Sequence, residues 1–136
     1  MTLPKVLIGS VGNDVHTVAI RLLQIELEQQ GCATVFLGVN RLPEEFVENA
    51  KKESADVVLI SSLNGEAEVW CRGIPEKMAA AGLGHIDIIL GGNLKIGDYN
   101  DVELESFYLS LGYKRVYSRR GNPRKIIDEI ISEWKS

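Results

Sequence analysis

Val57-Val58-Leu59-Ile60 is an unbroken apolar run that is followed directly by Ser61-Ser62. Such a short run without polar alternation is typical of a strand buried on both faces, as in parallel sheets covered by helices. Outward from this run in both directions, apolar segments of strand length alternate with amphipathic segments of helix length. The run therefore predicts a central strand of an α/β domain.

Five strands and five helices follow from this alternation. The predicted strands are Lys5–Gly9, Thr34–Gly38, Val57–Ser61, Asp87–Leu90 and Arg115–Tyr117. The predicted helices are His16–Gln30, Pro43–Glu53, Glu66–Ala81, Val102–Leu111 and Pro123–Lys135. Gly31, Gly82 and Gly112 each follow a helical pattern, where a left-handed cap residue is favoured. Pro43 and Pro123 stand in predicted first turns, where a missing N–H costs nothing.

The predicted fold class is α/β: residues 1–136 form a single doubly wound, Rossmann-type (flavodoxin-like) domain with a five-stranded parallel sheet. Short connections and right-handed crossovers place helices on both faces of such a sheet. The predicted strand order is 2-1-3-4-5, which puts the switch point between strands 1 and 3. Ligands of open α/β sheets bind there, outside the carboxyl ends of the strands. The loops after strands 1, 3 and 4 are therefore expected to face one crevice.

Composition limits the classes of function. The net charge of -4 and the pI of about 5.2 argue against a nucleic-acid or anionic-membrane partner. No apolar stretch approaches the roughly 20 residues of a membrane span, and residues 1–4 lack the features of a signal peptide. Cys32 and Cys71 have no metal-binding spacing and are expected to be reduced. We therefore expect a cytoplasmic protein with no nucleic-acid and no membrane partner.

Three short motifs fall at the predicted crevice. In Asp14-Val15-His16, the carboxylate can hold one imidazole nitrogen and leave the other free as a metal ligand. Ser61-Ser62 offers two hydroxyls, and Gly91-Gly92 lets the backbone approach a ligand closely. Each motif taken singly also has a purely structural interpretation. Asp14-Val15-His16 is then a helix N-cap with a surface histidine, Ser61-Ser62 a polar turn and Gly91-Gly92 a tight turn. Their convergence favours a site for a large, planar or phosphate-bearing cofactor.

Together the motifs resemble the small cobalamin-binding (sigma) subunit of glutamate mutase, or methylaspartate mutase. The pattern of that family is D-x-H-x-x-G, then S-x-L, then G-G. Asp14-Val15-His16-Thr17-Val18-Ala19, Ser61-Ser62-Leu63 and Gly91-Gly92 follow it in order and spacing. The chain departs from the pattern at Ala19, which replaces a glycine. A methyl group beside a packed ligand there would cost about 1–3 kcal/mol, although alanine also favours the helix.

The resemblance implies adenosylcobalamin as the cofactor. It implies that His16 replaces the dimethylbenzimidazole base as the axial ligand of the cobalt, so that the cofactor is held base-off. Asp14 would hydrogen-bond the other imidazole nitrogen, and the displaced nucleotide tail would enter the crevice between strands 1 and 3. The other cofactor contacts that the resemblance implies are Asn13, Val15, Thr17, Ser61, Ser62, Leu63, Gly91, Gly92, Asn93, Leu94, Lys95, Ile96 and Gly97.

The resemblance also implies a partner, a large barrel-type mutase subunit that covers the cofactor and binds most of the small amino-acid substrate. The implied reaction is the interconversion of L-glutamate and (2S,3S)-3-methylaspartate. No catalytic acid or base is assigned to this chain. It is expected to act as the cofactor subunit of an isomerase and to be inactive alone.

Four other interpretations use the same fold. A corrinoid carrier for methyl transfer or a cobalamin-sensing module without mutase activity would share the D-x-H motif. Carriers resembling this chain usually place a helical domain before the cobalamin domain, whereas the first predicted strand begins near Met1. A flavodoxin-like electron carrier would need aromatic residues around a flavin, and aromatics are only 7% of this chain. A response-regulator receiver would need an aspartate at the end of strand 3, where Ser61 stands.

Overall fold

The computed structural model describes residues 3–11, 18–62, 70–92, 94, 100–117 and 123–135. The strands are β1 Val6–Val11, β2 Thr34–Arg41, β3 Val57–Ser62, β4 Asp87–Gly92 and β5 Arg115–Tyr117. The helices are α1 Val18–Gln29, α2 Pro43–Lys52, α3 Ile74–Ala80, α4 Asp101–Ser110 and α5 Pro123–Lys135. None of the helices within these ranges is long and apolar enough to cross a membrane.

The five strands form one parallel sheet in the order β2-β1-β3-β4-β5. This is the predicted order, and it confirms the predicted fold class. The apolar run Val57–Ile60 lies in β3 at the centre of the sheet, where all four side chains are buried. Because β1 and β3 are neighbours and the chain winds outward from them in opposite directions, their carboxyl ends form the switch point.

The helices divide between the two faces of the sheet, as a doubly wound fold requires. On one face, Leu7, Val58 and Ile88 pack in a core that also contains buried side chains of α2, α3 and α4. On the other face, Val6 and Val57 pack in a second core with buried side chains of α1 and α5. Alternate residues of each strand therefore serve opposite cores. We call the second core the α1/α5 core.

The central strands extend further than the sequence predicts. β1 continues to Val11, β3 to Ser62 and β4 to Gly92, although we expected Ser10, Ser62 and Gly91-Gly92 in loops. The extra residues continue the parallel pairing, which gives their backbone groups partners across the sheet. The polar and glycine residues of the motifs are thus part of the sheet edge and are held by it.

The predicted helix Glu66–Ala81 is interrupted within its described part. Residues 70 and 71 are helical, a turn follows at residues 72 and 73, and α3 begins at Ile74. Pro75 has no N–H, so it cannot donate to the carbonyl of Cys71 four residues earlier. The Tyr113 hydroxyl donates to that carbonyl instead. The break is therefore stabilised by a residue that is distant in sequence.

The glycines after α1, α3 and α4 adopt the predicted left-handed conformation, with φ of 98° at Gly31, 79° at Gly82 and 116° at Gly112. Gly112 is also restricted by space, because a Cβ atom there would lie 2.8 Å from Cβ of Pro75. The predicted first-turn prolines are confirmed too, since Pro43 and Pro123 are the first residues of α2 and α5.

Candidate functional site

Four residues form a continuous row across the carboxyl edge of the sheet. Ser10 pairs with Ser61, Ser61 with Gly91, and Gly91 with Tyr117, so the row crosses β1, β3, β4 and β5. Ser10, Ser61 and Gly91 each come two residues after a strand residue of the α1/α5 core, and Tyr117 packs against that core. All four therefore belong to the same face of the sheet. We call these residues the edge row.

Buried hydroxyls mark this edge. Ser10 and Ser62 are fully buried and Ser61 is 7% exposed. Within the described residues, Oγ of Ser10 and Oγ of Ser62 have no hydrogen-bond partner. An unpaired buried hydroxyl costs about 1–3 kcal/mol, and native proteins rarely leave one without a reason. Two such atoms at a switch point indicate a place that a polar ligand completes.

Ser61 and Ser62 face opposite sides of the sheet. Ser61 belongs to the edge row, whereas Ser62 follows Val58 and Ile60 on the face of α2, α3 and α4. Ser62 pairs with Gly92, and buried Leu94 lies in the core of that face. The structure therefore brings Ser61 and Gly91 together on one side and Ser62, Gly92 and Leu94 on the other. One ligand can touch both groups only by crossing the sheet edge.

Gly91 leaves a space in the edge row. A Cβ atom at this position would find its nearest described neighbours, Cβ and the carbonyl oxygen of Tyr117, 3.8 Å away. That separation is an ordinary van der Waals distance, so the fold does not require glycine here for lack of room. The missing side chain instead leaves a gap in the edge row between Ser61 and Tyr117.

Tyr117 is held at the end of the row by an ion-pair network. Its hydroxyl donates to Oε2 of Glu129 at 2.8 Å, and Nη1 of Arg115 donates to the same oxygen at 2.7 Å. Nε of Arg115 also donates to Oε2 of Glu133 at 2.8 Å. Burial, followed by the hydrogen bond to Glu129, raises the pKa of Tyr117 above its ordinary value. The phenol is therefore neutral, and its ring is fixed against α5.

A cation also lies at this edge of the sheet, on β2. Arg41 pairs with Val11 at the end of β1, and its Nη1 lies 3.1 Å from Oε2 of Glu45. Its Nε is buried and makes no hydrogen bond within the described part of the chain. The edge therefore combines neutral hydroxyls and a phenol with Arg41, whose Nη1 pairs with Glu45 while its Nε makes no hydrogen bond to a described residue.

Ser10 and Tyr117 were not among the site residues predicted from the sequence. Ser10 stood in the predicted first loop and was not expected to contact the cofactor, and Tyr117 was assigned only to a strand. The available signal was the register: a parallel sheet in the order 2-1-3-4-5 places the ends of β1 and β5 in line with Ser61 and Gly91. That signal required the exact pairing of the strands, which spacing alone does not give.

Ten of the predicted cofactor contacts lie outside the described residues. They are Asn13, Asp14, Val15, His16, Thr17, Leu63, Asn93, Lys95, Ile96 and Gly97. The predicted metal ligand is among them, so the structure does not test His16. Among the residues that are described, no group of three or more His, Cys, Asp or Glu could hold a metal ion.

Comparison with known proteins gives a consistent result. Residues 4–114 match the B12 binding domain family. The chain is 36% identical over 126 residues to the glutamate mutase sigma subunit of Carboxydothermus hydrogenoformans, covering 93% of this chain and 92% of that protein. It is 34% identical over 128 residues to glutamate mutase sigma subunit 2 of Haloarcula marismortui, covering 94% of this chain and 86% of that protein.

The fold is also found in a solved structure. A cobalamin-binding protein from Desulfitobacterium hafniense superposes with a TM-score of 0.76 at 20% sequence identity. The match covers 96% of this chain and 58% of that protein, so the chain spans little more than half of it. At this identity the likeness concerns the fold, and it agrees with the observed strand order.

Proposed function

The chain belongs to the B12-binding domain family and, within it, to the glutamate mutase sigma subunits, and on this basis we propose that it is the cobalamin-binding subunit of glutamate mutase. The observation that carries the proposal is the edge row. It places Ser61 of the S-x-L motif beside Gly91 of the G-G motif on one face of the switch point. Two separate family motifs thus meet where this fold binds ligands.

The residues that are described fit a bound nucleotide tail. Gly91 places no side chain between Ser61 and Tyr117, and the edge row continues the face of the sheet that carries the apolar α1/α5 core. The unpaired Oγ of Ser10 lies in the same row and needs a polar partner. A flat group with a polar edge satisfies both features, and a purely apolar group satisfies only the first.

The motif residues outside the described part complete the proposal. In it, His16 would bind the cobalt and Asp14 would orient the imidazole through its other nitrogen. Ser61 and Leu63 line the tail pocket. Contacts along the nucleotide and the corrin come from Asn13, Val15, Thr17, Ser62, Gly91, Gly92, Asn93, Leu94, Lys95, Ile96 and Gly97. Residues 1–136 then act as one cobalamin-binding domain.

When it is bound, adenosylcobalamin supplies a carbon radical by homolysis of its cobalt–carbon bond. The task of this chain is to bind and orient that cofactor and to keep the tail out of water. The proposed partner is a large barrel subunit, which covers the exposed face and binds L-glutamate or (2S,3S)-3-methylaspartate. No residue of this chain is proposed as a catalytic acid or base, so the chain alone is inactive.

Reconstitution tests this function. The full chain is mixed with a large glutamate mutase subunit and adenosylcobalamin, and the conversion of L-glutamate to 3-methylaspartate is measured. We expect activity only when all three are present and a large loss with His16→Ala. As a control, the large subunits used are ones that are active with other sigma subunits. If the chain binds cobalamin but gives no mutase activity with them, the mutase assignment is contradicted. That result would favour a corrinoid carrier or a cobalamin-sensing module.

A further inference from the structure

We propose that Ser10 is a specificity-determining residue for the nucleotide tail of the cofactor. In this proposal the Ser10 hydroxyl is a hydrogen-bond partner for the polar edge of the tail's base. The inference rests on the proposed function, because it concerns the tail pocket of the same site. It adds a residue that lies outside the three family motifs.

The hydroxyl of Ser10 has the properties of an incomplete binding group. The residue is fully buried, and its Oγ has no hydrogen-bond partner among the residues that the structure describes. A hydroxyl without a partner in such a position destabilises the folded chain. A small apolar residue would avoid that cost and would suit the strand equally well. The serine is therefore better explained by a partner that arrives with a ligand.

The surroundings of Ser10 restrict what that partner can be. Ile8 and Leu59 precede Ser10 and Ser61 on the same face, and both side chains are buried in the α1/α5 core. On the neighbouring edge strand, Val39 also packs against that core. The residue that pairs with Ser10 on β3 is Ser61. The site thus offers two neutral hydroxyls in an apolar setting, which suits a neutral heteroaromatic base better than a charged group.

The chemistry of a displaced tail supplies the missing partner. When the base no longer binds cobalt, its ring nitrogen becomes a free hydrogen-bond acceptor in a flat, apolar group. A serine hydroxyl can donate to that nitrogen. Leaving the nitrogen buried without a donor would carry the usual penalty for an unpaired polar group. Ser10 would therefore favour a corrinoid with a nitrogenous base over one without a tail.

Binding of two probes by the full chain tests this proposal. Cobalamin carries the nucleotide tail, and cobinamide is the corrinoid that lacks it. Dissociation constants for both are measured by absorbance titration with wild type, Ser10→Ala and Ser10→Thr. Thermal melting without ligand is recorded for each protein. For Ser10→Ala we expect a Kd for cobalamin that rises about three- to tenfold, as for the loss of one hydrogen bond.

The cobinamide data and the melting temperature separate binding from structure. We expect the Kd of Ser10→Ala for cobinamide to be unchanged and its melting temperature without ligand to be equal or higher, since an unpaired hydroxyl has been removed. Ser10→Thr keeps the hydroxyl and should retain the preference for cobalamin. An unchanged ratio of the two Kd values in Ser10→Ala would overturn the inference and leave the proposed function standing. So would an equal loss of both ligands with a lower melting temperature. Failure of the wild type to bind either probe would overturn the proposed function and this inference with it.

Discussion

The first residues of β1, β3 and β4 differ sharply from the last residues of the same strands. We call Val6–Ile8, Val57–Ile60 and Ile88–Leu90 the strand starts, and in them every side chain is apolar and buried. The half-buried Asp87 precedes this part of β4. In the strand ends, Ser10 and Ser62 carry buried hydroxyls without described partners, and Gly91 and Gly92 have no side chains. One set of strands therefore carries packed apolar side chains at one end and unpaired hydroxyls and glycines at the other.

Adjacent substitutions on β3 provide the strongest test of this division. Ile60 is fully buried and pairs with Gly9 and Leu90. Ile60→Ala should lower the free energy of unfolding by about 2–5 kcal/mol, because it removes packing and leaves a cavity. Ser61→Ala, one residue further on, should change it by less than about 1 kcal/mol but weaken cobalamin binding. Urea denaturation and cobalamin titration measure the two effects. Equal destabilisation by both substitutions would contradict the division.

Two glycines offer a second comparison between a closed and an open position. A Cβ atom on Gly9 would lie 3.0 Å from the carbonyl oxygen of Gly38 and 3.1 Å from Cβ of Leu37. Gly9→Ala should therefore cost about 1–3 kcal/mol of stability through overpacking. Gly91→Ala meets only ordinary contacts and should leave stability nearly unchanged.

Alanine at the open position, Gly91, should instead weaken cobalamin binding. The methyl group of Gly91→Ala fills the gap between Ser61 and Tyr117, so it should cost about 1–3 kcal/mol of cobalamin binding free energy. Thermal melting and cobalamin titration of both alanine variants check the pair. A destabilised Gly91→Ala variant with normal affinity would show that the gap serves the fold rather than the ligand.

Alkaline pH should lower the free energy of unfolding through Cys71, which belongs to the core on the face of α2, α3 and α4. The thiol is fully buried beside α3, and burial raises its pKa from 9.0 to about 12. Unfolded chains lose this proton near pH 9 and the folded chain keeps it, so the contribution of Cys71 is constant below pH 9. Between pH 9 and 12 it decreases by about 1.4 kcal/mol per pH unit.

Cys71→Ala is the matched variant for this pH dependence. Tyr113 is present in both proteins, and burial raises its pKa with a further contribution from Cys71. The difference in slope therefore reports the thiol together with its effect on Tyr113. Urea denaturation at several pH values above 9 should show a shallower decline for Cys71→Ala. Parallel curves for the two proteins would mean that the thiol ionises in the folded chain as easily as in the unfolded one.

Loss of the Tyr117 hydroxyl should lower the free energy of unfolding only slightly. Glu129 keeps its ion pair with Arg115 in Tyr117→Phe, so stability should fall by only about 0.5–1.5 kcal/mol. Tyr113→Phe is the control. It removes the hydroxyl that donates to the buried carbonyl of Cys71, and Pro75 has no N–H to replace it. That variant should lose about 1–3 kcal/mol. A larger loss from Tyr117→Phe than from Tyr113→Phe in urea denaturation would contradict the comparison.

Most of the fold could be predicted because its signals are local. The apolar run at Val57–Ile60 indicated a strand covered on both faces, and glycines such as Gly31 and Gly82 marked helix ends by their backbone freedom. The break before α3 could not be predicted in the same way. It depends on Pro75 together with a hydrogen bond from Tyr113, which is 42 residues from Cys71 in the chain.

The candidate site was only partly predictable. Ser61 and Gly91 were expected in one crevice because the carboxyl ends of neighbouring parallel strands share an edge. That Ser10 and Tyr117 lie in the same row became clear only from the register. Ser10 pairs with β3 and Tyr117 with β4, although the polar residues after strand 1 predicted that this strand would end before Ser10. Ser62 was expected in a loop, where side chains need not alternate between faces. Because β3 in fact extends to Ser62, its side chain faces the opposite side of the sheet from Ser61.

The proposed function has His16 as the residue that binds the cobalt. The most direct measurement is the electron paramagnetic resonance spectrum of cob(II)alamin bound to the chain, with the large subunit present, before and after nitrogen-15 labelling of the histidines. We predict that labelling changes the nitrogen splitting in the wild type and that this effect is absent in His16→Ala. A splitting that is the same with and without the label would contradict histidine ligation. The base-off account of the site would then fail.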